Sequence, residues 1–477
     1  MKVEVRDIGI PEVDADLLAV GLYEGEEPPA ELAGAPGAGD AKGGFKKLAL
    51  AHPEPSKRAL FVGLGKRDVL DAERARIAAA LAATEAAGLE ARTLAWWLPG
   101  PWEEQTAAAL VTGTTLAGYR FDRFRSADPE DPPPPQIESL LLLAPEELAA
   151  PARAALVCAE AQNRARDLQS LPSNVATPSH LAERAMEIAA GGDALSVEVL
   201  GREEMEAREM GGLVAVSRGT AEEPKLIVLR YSGGGTGPTL GMVGKGVTFD
   251  TGGISLKPAA SMHEMKMDMS GAAAVLEAVA AIAELGLALD LIAVVPATEN
   301  MPSGTATKPG DIVTQYNGKT VEVNNTDAEG RLILADALAY AAELGAERIV
   351  DLATLTGAVV IALGSTYAAL ISNDDELAAA VEAAGERTGE LVWRLPLHPE
   401  YKELTKGTVA DLTNSSAKRK AGTIYAGSFL EEFVDGRPWA HVDIAGTAWD
   451  VGREYTGDGA SGYGVRLLVE IARGLAA

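Results

Sequence analysis

Four acidic residues fall where the chain changes direction. Asp250 ends the apolar run Gly241–Phe249 and precedes Thr251-Gly252-Gly253. Asp268 stands just before a helical pattern that opens at Ser270, and Asp327 and Glu329 lie between the strand-like Thr320–Val323 and the helical pattern from Arg331. Strand ends and helix starts are positions that one fold can gather at a single sheet edge. Four carboxylates gathered there cannot all stay ionised without compensation, and two divalent cations would neutralise them. Oxygen donors suit magnesium or manganese, and carboxylates also bind zinc. Paired metals roughly 3.5–4 Å apart are a recurrent hydrolytic device, acidifying water and stabilising a developing oxyanion.

The local alternative is a capped helix. Thr326-Asp327-Ala328-Glu329 has the spacing of a capping box, and acid at a helix N-terminus is favoured by the dipole. Taken alone, that is the better reading of the segment. It leaves unexplained why Asp250 and Asp268 stand at similar junctions, and why lysines accompany them. Lys245 and Lys257 flank Asp250 in glycine-rich, otherwise apolar sequence. A surface position is the usual fate of a lysine. One buried beside cations can instead become a neutral ligand, and one that stays charged can polarise a carbonyl oxygen.

The elements that must position these residues alternate. Leu226–Tyr231, Leu240–Val243, Leu291–Pro296 and Arg348–Leu352 read as strands, and Ser270–Leu285 and Leu332–Leu344 as helices. Alternation predicts an α/β sheet with helices on both faces, whose ligands bind beyond the carboxyl ends of the strands. Earlier, Met1–Asp7, Lys47–Ala51 and Ala59–Val62 read as strands, Ala72–Ala87 as a helix, and Leu156–Leu168 as a helix bridging two parts. Thr177-Pro178 opens another helix. Gly25–Gly44 reads as a mobile loop, and the four consecutive prolines in Asp128–Pro135 break the chain ahead of a strand at Ser139–Leu143.

The 477 residues suggest more than one domain, and 47% hydrophobic with 23% charged residues is a soluble, globular mix. A single cysteine, Cys158, excludes an intrachain disulfide and reads as a buried thiol. The N-terminus lacks the apolar core of a signal peptide, and the most apolar stretch, Leu352–Gly364, is too short for a bilayer. A cytoplasmic protein without membrane attachment is expected. The net charge of −27 argues against nonspecific nucleic-acid binding. His263-Glu264 opens like a zincin helix, but Met267 stands where the second histidine would be. The remaining histidines, His441 among them, are assigned packing or surface roles.

Asn325-Thr326-Asp327-Ala328-Glu329-Gly330-Arg331-Leu332 resembles the signature octapeptide of the leucyl (cytosol) aminopeptidase family. Val243–Gly253 is similar to that family's first metal motif and Lys266–Gly271 to the next. The likeness continues through Glu299-Asn300-Met301-Pro302, Asp351–Gly357 and Trp439–Gly446, covering about residues 156 to 477. The resemblance implies an N-terminal macro-like α/β domain over 1–155 and, over 156–477, a three-layer α/β/α peptidase domain with a central mixed sheet. It implies a metal-dependent aminopeptidase that takes single residues from the free N-terminus of short peptides. Two divalent ions, Mn2+ or Zn2+, would be held by Lys245, Asp250, Asp268 and Glu329 on one side and by Asp250, Asp327 and Glu329 on the other. Lys257 would bind the scissile carbonyl oxygen, Arg331 would hold a bicarbonate acting as general base, and Met265, Thr354 and Gly357 would line the substrate pocket. A homohexamer, a dimer of trimers, is implied by analogy. Some relatives also bind DNA, so a DNA-binding regulator on the same fold is the alternative, disfavoured by the acidic charge.

Overall fold

The computed structural model describes residues 1–54, 57–126, 133–416 and 420–476. Contacts divide the chain into two units, 1–163 with 452–457, and 164–451 with 458–477. Most of the proline-containing break expected at 128–135 lies outside the described residues.

The first unit carries a six-stranded sheet made of β1 (Lys2–Arg6), β2 (Leu17–Tyr23), β3 (Leu48–Glu54), β4 (Lys57–Gly65), β5 (Thr93–Trp97) and β6 (Ser139–Leu143), in the order β1-β6-β5-β2-β4-β3. Only the β3–β4 pairing is antiparallel. The helix α1 (Ala72–Gly88) buries its alanines, which let α2 (Glu104–Ala117) approach closely: a Cβ on Gly113 would lie 2.2 Å from the Arg76 carbonyl oxygen. The Gly25–Gly44 segment is irregular, as its composition requires, but it is not loose. Leu32 and Ala38 are buried in a cluster with Val20 and Phe61, and a Cβ on Gly43 would come within 2.0 Å of the Tyr23 carbonyl oxygen. The long helix α3 (Ala149–Ser170) starts seven residues before the expected Leu156, and the division between the units falls within it.

The second unit is built on a nine-stranded mixed sheet with helices on both faces. Its elements begin with α4 (Pro178–Ala189), which Thr177 caps by accepting from the His180 amide, then β7 (Leu195–Leu200), α5 (Arg202–Ala207), α6 (Gly211–Val216), β8 (Lys225–Ser232), β9 (Leu240–Gly244) and β10 (Gly246–Asp250). There follow α7 (Ser270–Leu285), β11 (Asp290–Asn300), β12 (Asp311–Thr314), β13 (Thr320–Val323), α8 (Gly330–Glu343), β14 (Arg348–Ala353), α9 (Gly357–Leu363), β15 (Ala368–Ser372), β16 (Val392–Arg394), β17 (Leu412–Thr413) and β18 (Trp439–Asp443). The order is β16-β15-β18-β14-β9-β11-β8-β7, with β10 alongside β11, while β12, β13 and β17 form a small separate sheet. The central strands β9, β15 and β18 are buried throughout, as is β14 from Ile349 on, which is why they are largely apolar.

The apolar run Gly241–Phe249 is shared by two strands, β9, close to the expected Leu240–Val243, and β10. At Lys245 the sheet forks: β10 goes on pairing with β11, Gly246 opposite Ala297 and, after a shift of one residue, Asp250 opposite Asn300, while the pairing of β14 with β9 ends at Leu352. The Lys245 amide donates to Leu352 O at 3.1 Å, and Lys245 O accepts from the Ala272 amide at 2.9 Å, where α7 begins. That helix start lies close because Gly271 has no side chain. A Cβ there would meet Leu352 O at 2.1 Å.

Candidate metal centre

Every acidic candidate sits at or beyond the carboxyl end of a strand, around the mouth of the fork. Asp250 closes β10, and Asp268 is the last residue but one of the 3-10 stretch Met262–Met269 ahead of α7. Asp327 and Glu329 occupy the turn between β13 and α8. The turn after Asp250 needs glycine twice. Gly252 and Gly253 have φ of 85° and 64°, in the left-handed region, and a Cβ on Gly252 would lie 2.8 Å from Asp327 Oδ1.

The expected capping box is not formed. The Thr326 hydroxyl donates to Gly252 O at 2.7 Å and accepts from the Ser255 amide at 2.8 Å. Glu329 has helical backbone angles, α8 begins at Gly330, and no side chain caps it. Thr326 is spent on stitching the octapeptide to the Gly252–Ser255 turn, a partner that local spacing cannot reveal.

Two lysines bind the carboxylates in pairs. Lys245 Nζ stands 2.7 Å from Asp268 Oδ2 and 2.9 Å from Glu329 Oε1, and donates to Thr354 O at 2.9 Å. Lys257 Nζ stands 2.8 Å from Asp250 Oδ2 and 2.5 Å from Asp327 Oδ1. Lys245 is 3% exposed, whereas the Lys257 side chain keeps 22% and reaches solvent. Gly330 leaves the space for Lys245: a Cβ there would lie 2.7 Å from its Cε.

Burial would lower both lysines, but the carboxylates of Asp268, Glu329 and Asp250 hold Lys245 above its usual pKa, and Asp250, Glu329 and Asp327 do the same for Lys257. Burial, followed by the Glu329 charge, pushes Asp250 up to about 6. Burial also raises Asp268 and Asp327. For Glu329 burial is outweighed by the two ammonium groups, which leave it below the usual carboxylate range. Four carboxylates against two ammoniums leave an excess of two negative charges. Oxygens of Asp250, Asp327 and Glu329 all lie within 4.8 Å of one another. An oxygen-rich donor set with surplus negative charge fits a hard divalent cation.

The other candidates are placed as follows. Arg331 is buried on α8, donates to Asn414 O at 2.8 Å and lies over the Tyr425 ring at 5.5 Å. Its Nε meets no acceptor among the described residues, and burial lowers its pKa. That unpartnered donor fits a small anion. The Thr354 hydroxyl donates to Asp268 Oδ1 at 2.7 Å, so Thr354 belongs to the carboxylate shell itself. Met265 is half-buried on the 3-10 stretch, and Gly357, the first residue of α9, is exposed with nothing within 4 Å of a Cβ.

Two groups in this shell were not singled out from sequence. Asn300, inside a quoted motif, donates to Asp250 Oδ1 at 2.8 Å. Asp443, at the end of β18, accepts from the Thr356 hydroxyl at 2.6 Å and the Leu355 amide at 3.1 Å, fixing the loop that carries Thr354. A polar residue closing an apolar strand was the available signal for both. His441 has a packing role, as expected: it is fully buried, with Nδ1 2.6 Å from Asp351 Oδ1. Cys158 is buried, also as expected.

Residues 163–469 match the cytosol aminopeptidase family, catalytic domain, and residues 32–128 match the N-terminal domain of the same family. The second match extends the likeness into a region where short motifs are sparse. The chain is 46% identical to the "Probable cytosol aminopeptidase" of Roseiflexus castenholzii, with 96% of each chain covered. It is 42% identical to that of Alkaliphilus oremlandii over the whole of both. Among solved structures, the bottromycin maturation enzyme BotP in complex with Mn superposes with a TM-score of 0.86 at 37% identity, covering 97% of this chain and 100% of that one. A lysine-to-glutamate mutant of tomato leucine aminopeptidase superposes with a TM-score of 0.88 at 34% identity, covering 99% and 96%.

Proposed function

The chain belongs to the cytosol aminopeptidase family and is a metal-dependent aminopeptidase, and we propose that it releases single N-terminal residues from short peptides with the help of two divalent ions, Mn2+ or Zn2+. The observation that carries the two-ion reading is the convergence of Asp250, Asp268, Asp327 and Glu329 about Lys245 and Lys257. Lys245, Asp250, Asp268 and Glu329 would hold one ion. Asp250, Glu329 and Asp327, the last through side chain and carbonyl, would hold the other. When bound, the pair supplies Lewis acidity to the peptide carbonyl and lowers the pKa of water.

The chain's own residues do the rest. Lys257, the more exposed of the two lysines, donates a hydrogen bond to the carbonyl oxygen as negative charge develops on it. Arg331 offers its unpartnered Nε to bicarbonate, which would supply a general base. Met265, Thr354 and Gly357 line the place of the first side chain. Catalysis resides in residues 156–477. By family analogy the protein is a cytoplasmic homohexamer, a reading supported by exposed apolar side chains such as Ile361, 90% exposed, and Trp393, 56% exposed.

Hydrolysis of unblocked aminoacyl amides by metal-stripped protein, after adding back manganese, zinc, cobalt or magnesium, tests the reading. Activity should return with at least one ion and fail on N-acetylated substrates. No return with any ion overturns the metal-dependent reading, and equal rates on blocked substrates overturn N-terminal selectivity. Light scattering should give six times the 49.5 kDa chain mass.

A further inference from the structure

One buried neutral side chain reaches both carboxylates proposed to be shared by the two ions. Asn300 is the last residue of β11 and is 4% exposed. Its Nδ2 lies 2.8 Å from Asp250 Oδ1, 3.1 Å from Thr326 O and 3.5 Å from Glu329 Oε2. All three neighbours are acceptors, which fixes the orientation of the amide. Its two N–H groups serve Asp250 and Thr326 best, with Glu329 at the limit of hydrogen-bond reach.

The surroundings hold this amide in place. Asn300 O accepts from the Thr251 amide at 3.0 Å and from the Thr251 hydroxyl at 2.7 Å, so the turn after β10 is latched to the end of β11. Gly253, with φ of 64°, leaves room for Oδ1, since a Cβ there would lie 2.8 Å from it.

The chemistry of the donor matters. Lys257 also binds Asp250, but it carries charge and competes with cations for that carboxylate. A neutral amide takes one lone pair of Asp250, adds no charge, and can keep its bond when a cation arrives. Outer-shell donors of this kind orient ligating groups.

Resting on the two-ion reading above, we infer that Asn300 is a positioning residue of the metal centre. It ties Asp250 from β10 to the octapeptide, through Thr326 O and Glu329, so that the shared carboxylates face both ions together.

Asn300→Leu keeps the branching at Cγ and removes the donor, and Asn300→Ala removes the branched group as well. The full-length variants, checked for folding by thermal melting in EDTA, are titrated with Mn2+ and free ion is followed by electron paramagnetic resonance. Wild type should bind two equivalents. Both variants should bind at least one of them roughly 10- to 100-fold more weakly, lose the wild-type signal of coupled ions, and show a lower kcat with KM little changed. If Asn300→Leu does not fold, Asn300→Ala decides. A folded variant that binds both equivalents with wild-type affinity overturns the inference while leaving the two-ion reading intact. A wild-type protein that binds fewer than two equivalents overturns that reading and this inference with it.

Discussion

Gly330→Ala sets two physical effects against each other. Gly330 opens α8 and has no left-handed backbone to protect. Helix propensity alone therefore favours alanine, by up to about 1 kcal/mol. The new Cβ would lie 2.7, 2.9 and 3.0 Å from Cε, Nζ and Cδ of Lys245. Ordinary contact begins near 3.4 Å, so the lysine must retreat by about 0.7 Å. A long side chain could usually swing aside, but this one is 3% exposed and pinned at its tip by Asp268, Glu329 and Thr354 O at 2.7 to 2.9 Å. The retreat takes those bonds to or past 3.5 Å, where little remains. Breaking a buried pair outright costs about 3–5 kcal/mol. Because the ammonium stays near its partners, about half of that is expected, for a net loss of ~1–2 kcal/mol. Chemical denaturation in EDTA measures it, and a Mn2+ titration should show binding weakened about tenfold or more. Gly88→Ala, at the end of α1 with nothing within 4 Å, is the control and should lose no stability. A Gly330→Ala protein as stable as wild type, with the same Mn2+ affinity, would refute the claim that this glycine exists to seat Lys245.

Three further outcomes follow from the same geometry. Gly271→Ala places a Cβ 2.1 Å from Leu352 O, a backbone atom that cannot swing away, so α7 must shift and unfolding should cost less by about 1–3 kcal/mol or more; an unchanged denaturation midpoint would contradict the close approach. Chelation should lower the melting temperature, because ligand at a hundred times its Kd contributes about 2.7 kcal/mol, and coincident melts with EDTA and Mn2+ would count against a metal centre. Asp336, buried on α8, accepts from the Leu213 and Tyr316 amides, each at 2.8 Å, and burial pushes it up to about 7. An unfolded aspartate titrates near ~3.9, so between those values the folded state holds the extra proton and stability falls as pH rises, the loss being complete above the folded value. From pH 5 to 8 wild type should lose about 2.6 kcal/mol more than Asp336→Asn; parallel stability profiles would remove Asp336 as the cause.

Much of this arrangement was legible because the acidic residues sit where periodicity changes. Asp250, Asp268, Asp327 and Glu329 interrupt patterns that specify strands and helices, and those elements formed within a few residues of their expected limits. What local pattern could not show are features decided by distant partners. The break at Lys245 depends on Leu352 and Ala272. Nothing in the run Gly241–Phe249 announces it, apart from the glycines on either side. Thr326 has the right type and spacing for a cap, yet its hydroxyl is taken by Gly252 and Ser255. A capping box is a weak local preference, and two hydrogen bonds at a buried junction override it. The β11 strand, expected to end at Pro296, runs on through the polar Thr298-Glu299-Asn300. Its last residue, Asn300, finds its partners in the site, while Glu299 accepts from the Thr220 hydroxyl outside it.

The ion pairs also bear on how the centre is assembled. Each lysine joins a carboxylate from the octapeptide to one from earlier in the chain: Lys245 links Glu329 to Asp268, and Lys257 links Asp327 to Asp250. These are long-range cross-links, made by charges that would otherwise repel one another across the fork. Buried pairs are poor sources of net stability, because desolvation offsets most of their attraction. They are good at fixing which groups meet. The lysines therefore link donors from distant parts of the chain, and the glycines at 271 and 330 let α7 and α8 come close enough for them to do so.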